Sequence, residues 1–207
     1  MANIPSFTEE AKLRGQGYRL IAGIDEVGCG ALAGPVVAAA VILPYPLDAS
    51  WLGQVRDSKQ LTPTTRELLS HHLHEIAISI GIGMVPHDFV DSHGLTRARQ
   101  RAMKLAINQL QPQPDTLLID YILVPEIKLH QKGIKYGDSV CISIACASIV
   151  AKVARDQLMV ELDKNYPGYG LTRHKGYGTK EHLSCLQRLG PSPIHRRSFQ
   201  PVRYLKR

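Results

Sequence analysis

Residues 22–44, AGIDEVGCGALAGPVVAAAVILP, hold two apolar runs separated by a glycine-rich turn, and place two adjacent acids, Asp25 and Glu26, where the first run ends. Residues 19–25 and 35–43 are rich in Ile, Val and Ala and read as strands, and VGCGALAG between them reads as the turn of a hairpin. The glycines at 28 and 30 with Ala33 match the permissive form of a dinucleotide fingerprint. That motif needs a helix next, however, and here Pro35 opens a β-branched run. The glycines therefore serve unusual backbone angles or a close backbone approach by a ligand.

Working outward, Thr62 and Pro63 read as the cap and first position of an amphipathic helix. IAISIGIGMV follows as a third strand. In DSHGLTRARQRAMKLAINQL, Ala98, Ala102, Ala106 and Leu110 recur at helical spacing, with Arg97, Arg101 and Lys104 on another face. DTLLID is a short buried-type strand ending at Asp120, and CISIACASIVAKVARDQLMVELDKNY is a long helix whose small residues allow close approach to a sheet. A further short helix covers 180–189. Strands first in succession and then alternating with helices predict an α/β fold: a mixed sheet with an antiparallel and a parallel side, flanked by helices. The division expected is an extension over 1–18, a catalytic core over 19–165, and a basic segment over 166–207 that packs on the core as a small helical appendage.

The chain has 207 residues, 44% of them hydrophobic, enough for a real core. Its longest apolar run, Val36–Leu43, is far short of a membrane span, and residues 1–18 lack the apolar centre of a secretory signal, so a cytoplasmic protein is expected. Four cysteines without a CxxC pair argue against structural zinc and disulfides. The net charge is +7, and residues 170–207 alone carry nine Lys or Arg against one acid, interleaved with Tyr177 and Phe199. That pattern suits a surface for nucleic acid. His174 and His182 lack metal spacing on any one element, and His71, His72 and His74 read as a solvated helix face.

The acids carry the chemistry. Asp25 and Glu26 end the first strand, Asp120 ends another, and Asp138 precedes the long helix. Strand ends in α/β sheets converge on one edge, so four carboxylates can meet there, and their repulsion invites hard divalent cations. A pair of such ions roughly 3.5 to 4 Å apart is a common phosphodiester-cleaving arrangement. Adjacent strand residues point to opposite faces, so Asp25 and Glu26 can share a site if the pleat is already broken at Glu26, which the glycines that follow predict, or if Glu26 contributes through its backbone carbonyl. Asp57, Asp156 and Glu161 read as caps or salt-bridge partners, Asp156 with Lys152.

The blocks GIDEVGCGALAGPVVAAAVIL, DSKQLT, IDYILVP, YGDSVCISIACASIVAKVARDQLM, YPGYGLTRHKGYGTKEH and GPSPIHRRSF resemble, in order and spacing, those of bacterial type 2 ribonuclease H, over about residues 19–202. The resemblance implies an RNase H-like fold and an endonuclease using Mg²⁺ or Mn²⁺, two ions per site. It would cut the RNA strand of RNA/DNA hybrids and nick DNA duplexes with embedded ribonucleotides on their 5′ side, leaving 3′-hydroxyl and 5′-phosphate ends. It assigns Asp25, Glu26, Asp120 and Asp138 as catalytic metal ligands, Gly28, Cys29 and Gly30 as the loop reading the ribose 2′-hydroxyl, and Tyr177 as the junction-sensing ring. Lys175, Lys180, Arg196 and Arg197 are expected to hold phosphates, in a monomer. Two residues depart from the family pattern: Cys29 stands where arginine is usual, and Tyr121 where glycine is common, its ring expected to pack on the core. The rival reading is a hybrid-binding module with weakened catalysis.

Overall fold

β2 (Val36–Ile42), VVAAAVI, is buried along its whole length. A strand of that composition needs cover on both faces, and its central alanines let that cover come close. A computed structural model of the chain, describing residues 4–205, shows how this is met. β2 pairs antiparallel with β1 (Ile21–Val27) on one side and with β3 (Ser79–Val85) on the other. β1 then pairs parallel with β4 (Thr116–Asp120), and β4 parallel with β5 (His130–Ile134), giving the order β3-β2-β1-β4-β5. The mixed sheet with one antiparallel and one parallel side is thus present. β5 was not foreseen: HQKGI has neither alternation nor β-branched enrichment, and it is ordered as an edge strand.

One face of the sheet packs on α4 (Leu95–Asn108), where Ala98, Ala102, Met103 and Ala106 meet Ala22, Ile24, Ala38 and Ala40. The other face packs on α5 (Ile142–Asn165), with Ala145, Cys146, Ile149 and Val150 against Ala39 and Val41. α2 (Pro63–Ile76) closes this layer through Leu69 and Leu73, and its start is capped by Thr62, whose hydroxyl accepts from Thr65 N at 3.2 Å. Gly23 sets the spacing between β1 and α5. A Cβ there would lie 2.1 Å from the Ser143 carbonyl carbon, so only glycine lets α5 sit so low over the strand.

Short helices also went unforeseen. α1 (Thr8–Gly15) lies against the start of α5, where buried Glu10 accepts from Ser143 N at 2.9 Å, and α3 (His87–His93) turns into α4 at Gly94. An acid at the first turn of a helix complements its dipole, so residues placed in an N-terminal extension brace the main helix of the core. α6 (Leu171–His174) and α7 (Lys180–Leu189) belong to the basic segment. Tyr169, Leu171, Leu186, Ile194 and Val202 form a cluster there with Leu32, Ala33 and Met159, so the segment is bound to the turn after β1 by apolar contact. Among the described residues no helix is long and apolar enough to cross a membrane.

Candidate active site

The register of β1 decides where its acids go. Gly23 meets α5, so Asp25, two residues on, faces the same side. Ile24 lies in the α4 layer, and Glu26 faces that one. Pairing continues without interruption through Asp25↔Ala39, Glu26↔Ala38 and Val27↔Val37. The expected break of the pleat at Glu26 is therefore corrected: the strand stays regular because β2 holds it to Val27, and it leaves strand geometry only at Gly28, φ +90°.

On the α5 side three carboxylates converge. Ile24 and Ile119 are register partners in the parallel pair, so Asp25 and Asp120 leave the sheet together. Asp120 Oδ1 accepts from Gly137 N at 2.7 Å, which ties the end of β4 to the turn carrying Asp138. Burial, and after it the charges of Glu26, Asp120 and Asp138, push the Asp25 carboxyl well above the usual range, against a smaller opposing effect of the Ser148 hydroxyl. Burial and the charges of Asp57 and Asp120 raise Asp138 as well. Glu26 is raised by burial, partly offset by Arg99.

Repulsion on this scale is what a cation would relieve, and the oxygen donors suit a hard one. Glu26 Oε2 adds a buried oxygen with no hydrogen-bond partner. Among the described residues no three or more of His, Cys, Asp or Glu are already gathered closely enough to hold a metal ion.

Several groups around these acids lay outside the sequence reading. Lys59 Nζ stands 3.9 Å from both Asp57 and Asp138 Oδ2; burial alone would lower it, but the four neighbouring carboxylates prevail and raise it. Arg99 of α4 meets Glu26 Oε1 at 2.6 Å. Asp57, read as a cap, accepts from Lys59 N at 2.9 Å, and Asp156 pairs with Lys152 at 2.7 Å as expected.

The turn after β1 is laced to the C-terminal segment. Leu32 N donates to Gly176 O at 2.8 Å, Arg196 N to Leu32 O at 2.8 Å, and Gly34 N to Ile194 O at 3.0 Å. Two buried arginines fill it from beneath. Arg155 donates to the carbonyls of Pro35, Ala33 and Lys175, and a Cβ at Gly28 would lie 2.3 Å from its Nε. Arg196 donates to Gly34 O twice and to Cys29 O. Arg196 was expected on a phosphate; it is instead wholly buried with its donors on main-chain oxygens, so it shapes the loop. Burial, then Arg155 nearby, brings its pKa down to about 10.

Cys29 is half-buried and its thiol donates to Glu26 Oε1 at 3.4 Å, while Gly30 is exposed. Burial and the Glu26 charge push the Cys29 thiol up to about 12, so it stays protonated and is no nucleophile. The ring of Tyr121 does not pack on the core: it is 63% exposed, on a backbone at φ +63° that favours glycine.

Tyr177 is held by a chain of histidines. Ser192 N donates to His195 Nδ1 at 3.0 Å, so that ring carries its proton on Nε2 and donates it to His182 Nε2 at 3.0 Å. His182 is then protonated on Nδ1, which donates to Tyr177 O at 3.0 Å. Burial lowers both rings to about 4, which keeps them neutral and the chain directional. Arg155 lies 5.3 Å over the Tyr177 ring. Beside it a groove between α2, α5 and α6 is lined by Arg66, Lys152, Arg173 and Lys175. Lys180 is exposed, and Arg197 is half-buried, its Nη2 on Pro191 O.

A sequence profile described as Ribonuclease HII matches residues 22–202. A ribonuclease HII of Dehalococcoides mccartyi is 55% identical over 199 residues, 96% of this chain and 94% of that protein. One of Geobacter sulfurreducens is 50% identical over 194 residues, 94% and 88% of the two. In three dimensions the ribonuclease H2 of Pyrococcus horikoshii superposes with a TM-score of 0.74 at 24% identity, covering 90% of this chain and 96% of that one. Bst-RNase HIII in complex with Mn²⁺ gives 0.65 at 20% identity, covering 89% and 68%. These two share the fold, and the match over nearly the whole length of its sequence relatives shows that the chain belongs to the ribonuclease HII family.

Proposed function

We propose that the chain hydrolyses the RNA strand of RNA/DNA hybrids and nicks DNA duplexes on the 5′ side of embedded ribonucleotides, leaving 3′-hydroxyl and 5′-phosphate ends. The observation that carries this reading is the Asp25 carboxyl, buried and raised among Glu26, Asp120 and Asp138. A surface that only bound nucleic acid would gain nothing from negative charge at its centre, where phosphates would be repelled. Asp25, Asp120 and Asp138 on the α5 side would hold Mg²⁺ or Mn²⁺, two ions in this reading, and Glu26, which faces the α4 side, would join them by turning its side chain round the end of the strand; Mn²⁺ is the ion of the Bst-RNase HIII complex. When bound, such ions lower the pKa of water and stabilise charge on phosphoryl oxygens.

The remaining residues position the substrate. The Gly28–Cys29–Gly30 turn offers main-chain groups to the ribose 2′-hydroxyl, the group that separates RNA from DNA. Substitution of the side chain at 29 leaves such a contact intact. Tyr177, fixed through its carbonyl by His182, offers its ring to the sugar or base at the junction. Lys175, with Lys180 and Arg197 further out, meets phosphates and sets register without reading sequence, while Arg66 and Lys152 in the groove are already engaged by main-chain oxygens and Asp156. The basic segment 166–207 thus works as part of the substrate surface.

The test uses a DNA duplex with one ribonucleotide, the protein and its Asp120→Asn variant, and Mg²⁺, Mn²⁺ or EDTA, with the product ends mapped. The wild type should nick 5′ to the ribonucleotide only with the ion present. The variant should lose about 10³-fold or more, the worth of several kcal/mol of charge stabilisation. Binding without cutting would return the reading to a hybrid-binding module, and cutting of an all-DNA duplex would make the protein a DNA nuclease.

A further inference from the structure

The contact between Glu26 and Arg99 is unfinished. A guanidinium and a carboxylate can join through two parallel hydrogen bonds, yet this pair meets at a single short contact, Arg99 Nη2 to Glu26 Oε1 at 2.6 Å. The other two groups that would complete it, Arg99 Nε and Glu26 Oε2, are both buried and without partners. Oε1 is shared further, since the Cys29 thiol also donates to it. Leaving two charged groups half-satisfied side by side is costly, and folds retain such an arrangement where another ligand completes it.

The position of the pair shows which ligand. Glu26 faces the α4 layer, across the pleat from Asp25. Arg99 follows Ala98 on α4, so its backbone is anchored in the sheet packing while its side chain keeps one fifth of its surface in contact with solvent beside the glycine turn. It is thus a partly exposed cation on the α4 side of the carboxylate edge, held there by Glu26 alone among the acids of the described residues. Glu26, by contrast, is 7% exposed and already turned to Arg99.

Resting on the function proposed above, we infer that Arg99 is an exchangeable counter-ion: it holds Glu26 in the free protein and turns to a substrate phosphate when Glu26 takes part in binding a divalent cation. The exchange conserves pairing. Glu26 replaces one positive partner by another, and the fork of Arg99, released, matches the geometry of a phosphate bidentately. Arg99 is then a positioning residue for Glu26 and a contact for the strand, and it competes with the ion that Glu26 serves. A permanent structural pair predicts otherwise, because its removal would weaken ion binding and substrate binding alike.

The experiment titrates the metal-free protein with Mn²⁺ by calorimetry, without substrate, and separately measures kcat and KM on a ribonucleotide-containing duplex. Arg99→Gln should bind Mn²⁺ roughly tenfold more tightly, the size of effect that one adjacent opposite charge has on a carboxylate. It should raise KM for the duplex by a similar factor, with kcat changed less. Arg99→Lys, which keeps the charge and loses the fork, should restore the Mn²⁺ affinity of the wild type and leave KM raised. In a Glu26→Gln background, Arg99→Gln should no longer alter Mn²⁺ affinity, since the competition has been removed. Circular dichroism of each variant separates these effects from loss of fold. A wild type that binds Mn²⁺ while Arg99→Gln binds it equally or more weakly overturns the inference alone. A wild type that takes up no Mn²⁺ overturns the metal reading and this inference with it.

Discussion

The carboxylate edge and the histidine chain behind Tyr177 lie on either side of the same glycine turn, and they treat buried polar groups in opposite ways. At the edge, Asp25, Asp120 and Asp138 crowd together, and Glu26 and Arg99 each leave one buried atom unpaired. In the chain, both nitrogens of His182 and of His195 are bonded, and both rings are neutral. The first arrangement is strained until a cation arrives; the second is complete in itself. A site needs both: a place where binding energy can be released, and a brace that does not yield when it is.

Breaking the edge should show the largest effect. Asp25→Asn removes a carboxylate from the centre of the repulsion, so turnover should fall about 10³-fold or more. The metal-free protein should meanwhile become more stable to urea by about 1 kcal/mol, as strained functional groups do when neutralised. A variant less stable than the wild type would mean that Asp25 is as well satisfied as the histidines, and the contrast would fail.

Breaking the brace should cost stability directly. His195→Ala leaves Ser192 N and His182 Nε2 without their partner and opens a cavity, a loss of about 2 to 4 kcal/mol. Urea unfolding monitored by circular dichroism measures it. A loss below about 0.5 kcal/mol, the range of ordinary surface substitutions, would show that the chain bears no weight.

Titration sharpens the comparison with the smallest signal. His182 and His195 have folded pKa values of about 4, below the 6.5 of a free histidine. The unfolded chain therefore binds more protons between these values, and stability falls as pH drops from 6.5 toward 4, by about 1.4 kcal/mol per pH unit for each ring. Asp25 works in the other direction: its raised folded pKa favours the native state at low pH and disfavours it as pH rises. Unfolding free energies from pH 7 to pH 5 in chelator should thus decline more steeply for Asp25→Asn than for the wild type. Parallel curves would remove the edge from the account.

How much of this was legible varies with the kind of signal. The α2 cap, the α4 face through Ala98, Ala102 and Ala106, and the hairpin of β1 and β2 are local patterns, and they stand where periodicity and turn residues put them. Asp25 and Asp120 share an edge because their strands are neighbours, while Asp138 reaches them through a turn bonded to Asp120. β5 left no local signal, because an edge strand with one partner needs no alternation. Glu26 was misjudged because the glycines after it suggested an early end to the strand, whereas pairing with β2 carries the pleat to Val27. Arg196 sits in a run of basic residues that looked like a surface, and only the fold shows three carbonyl bonds closing over it. Arg99 was not singled out among the charges of α4; only the packing of α4 on the sheet, which sequence does not encode locally, brings it to Glu26. Tyr121 was expected inward, but a left-handed backbone sends its ring to solvent.

The turn after β1 takes its last structural bonds from partners 162 to 167 residues further along the chain. Contacts of that sequence separation close late, because the loop between them must first give up its freedom. On a ribosome the sheet can pair and its helices dock while Arg196 is still unsynthesised, leaving the carbonyls of Cys29 and Gly34 without their cation. The turn is therefore completed only after residue 196 has been made, and until then the acids stand on a scaffold whose neighbouring loop is still unbraced.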